Sequence, residues 1–194
     1  MFAELLSDRV GSWVQLSETQ IHQLRRHFEF LNRWNKVLNL TGLEKLDEIV
    51  ERHYCESLFL GTHLPRGSVT IADVGSGAGF PGVPLAVLRP ECPVTLIESH
   101  QRKSVFLREV TRELPNVRVT AVRAEDVRER FEWAVARAVK FASIEKALSR
   151  LVLHVAVLGV DERPNLCFTW NNPVKLPWGK NRYLWLGRVP RETT

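Results

Sequence analysis

Cysteine is scarce in this chain: Cys55, Cys92 and Cys167 are odd in number, far apart, and never spaced as C-x-x-C. That excludes a disulfide framework and gives no sign of a zinc or other metal site, so buried, reduced thiols are expected. Long apolar runs are also missing. None approaches the roughly 18 residues a membrane span needs, and Met1–Asp8 lacks the basic flank and apolar stretch of a secretory signal. The expectation is a cytoplasmic protein with no membrane attachment. Internal repeats and low-complexity segments are absent too, which argues against a solenoid or a disordered tail. What remains, 194 residues with 44% hydrophobic and 25% charged content, suits one soluble α/β domain with a modest appendage.

Charge is unevenly spread. Residues 1–100 hold 9 Lys/Arg against 12 Asp/Glu, a net −3, whereas residues 101–194 hold 18 against 10, a net +8. The second half is therefore the side suited to a polyanion, although a basic surface alone does not identify one.

The N-terminal third reads as helical. A first short helix is expected over Phe2–Val10. Ser17-Glu18-Thr19-Gln20 has the form of a capping box, and Ile21, Leu24, Phe28, Leu31 and Trp34 follow at three- and four-residue steps, one face of a long helix. A further helix is predicted from about Leu46 to Leu60, and Gly61–Gly67 reads as the link into a sheet. The domain division implied is a helical region over 1–62 and a Rossmann-like domain over 63–194. Beyond the link, strand-like and helix-like runs alternate: strand 94–98, helix 103–114, strand 117–122, a short helix near 125–130, strand 133–136, helix 144–153. Alternation of this kind makes a mostly parallel sheet with right-handed crossovers. Residues 166–170 and 183–186 are expected to close it as an antiparallel hairpin.

The richest segment is Asp73-Val74-Gly75-Ser76-Gly77-Ala78-Gly79-Phe80-Pro81-Gly82, between a β-branched run and an apolar helix-like stretch. Glycines here let the chain take positive φ and approach a ligand closely, and the following helix offers unpaired N–H groups. Two cofactors could use such a turn. Gly77 to Gly82 fits the dinucleotide pattern G-x-G-x-x-G. The same run also reads Asp-x-Gly-x-Gly-x-Gly, the form typical of S-adenosylmethionine-dependent methyltransferases. Asp73 favours the latter, because a carboxylate opposes a pyrophosphate but suits an ammonium and a sulfonium. Glu98, at the tip of the next strand, is placed to accept ribose hydroxyls of either ligand. On the residues alone, Asp73, Gly75, Gly77, Gly79, Phe80 and Glu98 are the cofactor candidates.

Several further segments together resemble the RsmG (GidB) methyltransferases, which methylate a guanine at N7 in small-subunit ribosomal RNA. These are Trp34-Asn35-Lys36-Val37-Leu38-Asn39-Leu40-Thr41, Arg52-His53-Tyr54-Cys55-Glu56-Ser57, the loop from Asp73 to Pro84, Arg102–Leu107, Arg123-Ala124-Glu125-Asp126, and Ala136-Arg137-Ala138. The resemblance covers about residues 17–150. It implies a class I methyltransferase fold with an antiparallel C-terminal strand, and S-adenosyl-L-methionine as cofactor held by Gly75, Phe80, Ala124, Glu125 and Arg137. It also implies functional arginines at Arg123, Arg137 and Arg182, acting on 16S ribosomal RNA or the small ribosomal subunit; a monomer is expected.

The chemistry agrees with what is missing. Guanine N7 carries a lone pair and no proton, so methyl transfer to it needs alignment rather than a general base. The Asn/Asp-Pro-Pro-aromatic motif of exocyclic-amine enzymes is absent after the fourth strand, where the chain reads Arg137-Ala138-Val139-Lys140-Phe141, and no cysteine is set as a nucleophile. His53 reads as a helix-packing histidine and Trp34 as core. The chain departs from the family after Arg150: the family's lysine before a glycine is replaced by Leu158-Gly159, and Val139-Lys140 is inserted, with Lys140 a candidate replacement charge. A methyltransferase of a non-RNA substrate, a non-catalytic RNA-binding relative and a nicotinamide-dependent oxidoreductase are the alternatives.

Overall fold

The computed structural model describes residues 1–138, 141–160, 164 and 167–190, with the side chains of 141–143 outside that description. Four helical segments come first: α1 (Phe2–Val10), α2 (Glu18–Leu38), α3 (Leu46–Ile49) and α4 (Glu56–His63), the last two joined by a π-helical turn, Val50–Cys55. The capping box at α2 forms as expected. Ser17 Oγ accepts the Gln20 N–H at 3.2 Å, and Gln20 Oε1 accepts the Ser17 N–H at 2.9 Å. Gln20 also donates through Nε2 to the carbonyl of Val87 at 2.9 Å, tying the start of α2 to the sheet domain.

The sheet follows as β1 (Ile71–Val74), β2 (Val94–Ile97), β3 (Val117–Thr120), β4 (Phe131–Arg137) and β5 (Val152–Gly159), with α5 (Gly82–Leu88), α6 (Gln101–Val110) and α7 (Phe141–Leu151) in the crossovers. Three short C-terminal strands complete it: β6 (Thr169–Trp170), β7 (Val174–Lys175) and β8 (Tyr183–Arg188). The order is β3-β2-β1-β4-β5-β8-β6, parallel through β5 and antiparallel from β8 onward. The mostly parallel, Rossmann-like sheet read from the sequence is present. The expected tail hairpin appears as two separate short strands, β6 and β7, each paired with β8. Strand β5, Val152–Gly159, does not stand out in the sequence because its apolar run continues directly from α7 without a turn signal.

Alternation along the strands sorts the side chains onto two faces. Ile71, Leu96, Val135, Ala156 and Leu158 join a core with α1, α2, α4, α5 and α6, while Ala72, Val74, Ile97, Ala134 and Val155 join a second core with α7 and the 3-10 turn Ala124–Asp126. The N-terminal helices share their apolar cluster with the sheet. Each fully buried leucine there, such as Leu24, Leu31 and Leu58, contributes about 1.5–3 kcal/mol. Trp34 packs partly buried on Phe106 at 5.9 Å. Among the described residues no helix is long and apolar enough to cross a membrane, and no three His, Cys, Asp or Glu side chains form a metal-binding group. The cysteines are only partly as expected: Cys55 and Cys92 are buried, but Cys167, just before the short edge strand β6, is exposed.

Candidate functional site

A cleft of about 220 Å³ opens at the carboxyl ends of β1, β2 and β3. Val74 and Gly75 come from the end of β1; Ile97, Glu98 and Ser99 from β2; Val122, Arg123, Ala124 and Glu125 from the turn after β3; Ile144 comes from α7. Ligands of open α/β sheets bind in this position, outside the strand ends near the switch between β1 and β4. Gly75, Glu98, Arg123, Ala124 and Glu125 are thus brought together, although up to 50 positions separate them.

The glycine turn is held by its own backbone. The N–H groups of Gly75 and Ser76 donate to the Ile97 carbonyl at 2.9 and 3.1 Å, and Gly75, Gly77 and Gly79 take φ of +74°, +55° and +88°. A Cβ at Gly77 would meet only the Gly75 carbonyl oxygen at 3.8 Å, so this side of the turn is open. Gly79 faces the other way. A Cβ there would lie 2.7 Å from Val83 and 3.1 Å from His27, so its lack of a side chain serves packing.

Glu98 is buried, and each carboxylate oxygen holds one backbone N–H: Oε2 accepts from Gly77 at 2.8 Å and Oε1 from His100 at 2.7 Å. A carboxylate has about four lone-pair sites, so capacity remains for hydroxyl groups in the cleft.

Three cofactor candidates lie behind the turn instead of on the cleft. Asp73 shares the strand face of Ile71, pointing toward α5, and is fully buried. Its Oδ2 accepts the Gly82 N–H at 3.0 Å, and Oδ1 has no partner. Burial raises its pKa to about 7, against the pull of the Gly82 bond. Its place is under the loop, where it takes up an N–H at the start of α5 that the sequence reading left free for a ligand. Asp73 is therefore placed not as a charge facing the cofactor cleft, as expected from the sequence, but as a brace for the turn. Phe80 stacks on His53 at 4.5 Å and meets His27 and Tyr54 edge-on, so its ring belongs to the core. Gly79 packs beside it.

His27 went unnoticed in the sequence, where it is one polar residue on an apolar helix face. Its Nε2–H donates to the Ala78 carbonyl at 2.9 Å, and Nδ1 accepts from the Tyr54 hydroxyl at 2.7 Å. Burial lowers its pKa to about 4, so it is neutral at physiological pH. Helix α2, the π-helical turn and the glycine loop meet at this one imidazole. His53 is likewise buried, bonded through Nε2 to Thr41 Oγ1 at 2.7 Å, with its pKa pushed down to about 3 by burial and then by Arg137, His27 and Arg52. That agrees with the packing role read from the sequence.

The arginines divide. Arg123 is exposed and lines the cleft. Arg137, implied above as a cofactor contact, does not line the cleft: at the end of β4 it shares the face of Val135, opposite Val74 and Ile97, and donates through Nη1 to the Arg52 carbonyl in the π-helical turn. Burial lowers its pKa to about 10; Glu56 opposes that shift, and Arg182 and Arg52 add to it. It still carries its proton at neutral pH. Arg182 is not free. Its Nε and Nη2 bond Oε1 and Oε2 of Glu56 at 2.9 and 2.6 Å, and Glu56 is fully buried. This bidentate pair was invisible in the sequence because its members are 126 positions apart.

The lysine position of the family, Leu158, is buried beside Arg137 in the β4–β5 register and against Leu184 of β8. Lys140 lies outside the described residues.

Residues 20–156 match the family described as GidB, rRNA small subunit methyltransferase G. A ribosomal RNA small subunit methyltransferase G from Chromobacterium violaceum is 36% identical over 167 residues, covering 81% of this chain and 79% of the relative. One from Nitrosomonas europaea is 40% identical over 131 residues, 66% of this chain and 59% of the relative. Among solved structures, a SAM-dependent methyltransferase from Aquifex aeolicus superposes with a TM-score of 0.58 at 16% identity, covering 74% of this chain and 93% of that one, a likeness of fold. With the family matched over most of its length, the chain belongs to the rRNA small subunit methyltransferase G (GidB) family.

Proposed function

We propose that this protein transfers a methyl group from S-adenosyl-L-methionine to N7 of a guanine in small-subunit (16S) ribosomal RNA, acting in the cytoplasm as a monomer. The observation that carries the reading is the cleft itself, where the turn at Gly75, the carboxylate of Glu98 and the Ala124–Glu125 turn converge at the strand ends. Those residues suit the donor. Positive-φ glycines expose backbone to it, Glu98 keeps lone pairs for ribose hydroxyls, and Val74, Ile97 and Ala124 offer apolar wall to an adenine. The cleft is smaller than the roughly 300–1,000 Å³ of whole-ligand pockets, which fits the nucleoside half with the remainder near the loop.

When bound, the donor supplies an electrophilic methyl on a sulfonium; the protein's part is alignment and exclusion of water. Asp73 and His27 hold the loop, Glu98 orients the ribose, and Arg123 and Arg137 act on the RNA, where a guanidinium can grip phosphate or bond guanine O6. No side chain needs to remove a proton, because N7 has none.

Calorimetry with S-adenosylmethionine and with NADH tests the cofactor, with binding expected only for the first; binding of NADH alone would overturn the assignment. Arg137→Ala should lower methyl transfer to RNA while leaving donor affinity unchanged, and full turnover by that variant would remove Arg137 from the site.

A further inference from the structure

The segment Arg52–Ser57 does not line the cofactor cleft, yet most of it is engaged in contacts with other elements. The Arg52 carbonyl accepts from Arg137, His53 stacks on Phe80, the Tyr54 hydroxyl meets His27, and Ser57 Oγ donates to the His53 carbonyl at 2.5 Å. The π-helical turn is what brings these groups to the loop, and such turns often occur at functional sites.

Glu56 stands apart in being a fully buried charge. A carboxylate so placed survives only when paired and hydrogen-bonded, and the fork of Arg182 satisfies both oxygens. One guanidinium would suffice for neutrality. Arg137 is held from the same segment, by the Arg52 carbonyl, where the charges of Glu56, Arg182 and Arg52 all act on it. The segment from Arg52 to Glu56 thus holds two arginines, Arg137 from the end of β4 through the Arg52 carbonyl and Arg182 from the approach to β8 through the Glu56 carboxylate.

We infer that Glu56 is a positioning residue for the proposed methyl transfer: its carboxylate clamps Arg182 beside the π-helical turn whose Arg52 carbonyl holds Arg137, so that both arginines are presented to RNA from one fixed segment. This rests on the reading of Arg137 given above. It also accounts for two features of the C-terminal part. The segment entering β8 is anchored to α4 through Arg182, and Leu158, buried beside Arg137, adds no further cation at that position.

The test uses the full chain, 16S RNA and tritiated S-adenosylmethionine, with wild type, Glu56→Gln and Glu56→Asp compared for kcat, KM for RNA and donor affinity. Glu56→Gln should lower kcat by about 10- to 100-fold, the scale expected of a misplaced contact group. KM for RNA should stay equal or fall, because the cluster gains positive charge, and donor affinity should be unchanged. Glu56→Asp, with its charge on a shorter stem, should fall between. A merely structural role would lower the melting temperature of both variants while leaving kcat untouched well below it, and that result overturns the inference. If Glu56→Gln does not fold, Glu56→Asp decides on the same readout. Wild type that methylates no RNA would defeat the functional reading itself, a result distinct from active wild type with equally active variants.

Discussion

Replacing His27 with leucine removes the hydrogen bonds that join α2 to the glycine loop and to Tyr54. The Ala78 carbonyl and the Tyr54 hydroxyl are both buried, and each loses its partner, at about 1–3 kcal/mol apiece. The expected destabilisation at pH 7 is therefore about 2–6 kcal/mol, or roughly 5–20 °C in melting temperature for a chain of this size. The pH dependence makes the prediction specific. The folded-state pKa of His27 is lowered to about 4 from 6.5, so at neutral pH the ring is uncharged in both folded and unfolded chains. Below pH 6.5 the unfolded chain takes up a proton that the folded one refuses, and wild type loses about 1.4 kcal/mol per pH unit until about pH 4. The leucine variant has no such loss at this site. Denaturant unfolding of both proteins from pH 7.5 to 4.5 should show the stability gap narrowing by about 3 kcal/mol as pH falls. A gap that stays constant or widens would refute the neutral, bridging imidazole. Donor affinity should also fall in the variant, because the loop loses its tether.

Gly82→Ala should destabilise the fold by about 1–3 kcal/mol and weaken donor binding in calorimetry, since its Cβ would fall 2.4 Å from Leu96 and 2.5 Å from the Asp73 carboxylate. Glu98→Ala should weaken S-adenosylmethionine binding by about 10-fold or more, the scale of about 1.4 kcal/mol for lost bonds to Gly77 and the ribose, while leaving RNA affinity in a filter assay unchanged. A thiol reagent on the folded protein should modify Cys167 alone, because Cys55 is buried with its pKa raised to about 12 and Cys92 is also buried.

Local rules carried much of the architecture. Capping chemistry at Ser17–Gln20, the glycine turn and the alternating runs each lie within a few positions, and each was legible in the sequence. Side chains whose partners are distant were not. His27 reaches Ala78 across 51 positions and Glu56 reaches Arg182 across 126, so neither leaves a local pattern. Asp73 is visible in the sequence but its direction is not, because a residue at a strand end can face either side and only its register with β2 and β4 settles which. Resemblance marks Arg182 as an RNA arginine, whereas its bidentate pairing with a buried carboxylate gives it an internal partner first.

The central claim meets its most direct test in mass spectrometry of 16S ribosomal RNA incubated with the protein and S-adenosylmethionine. The account predicts one added N7-methylguanosine, lost with Arg137→Ala. Methylation at a different atom, or none with active cofactor binding, would contradict it.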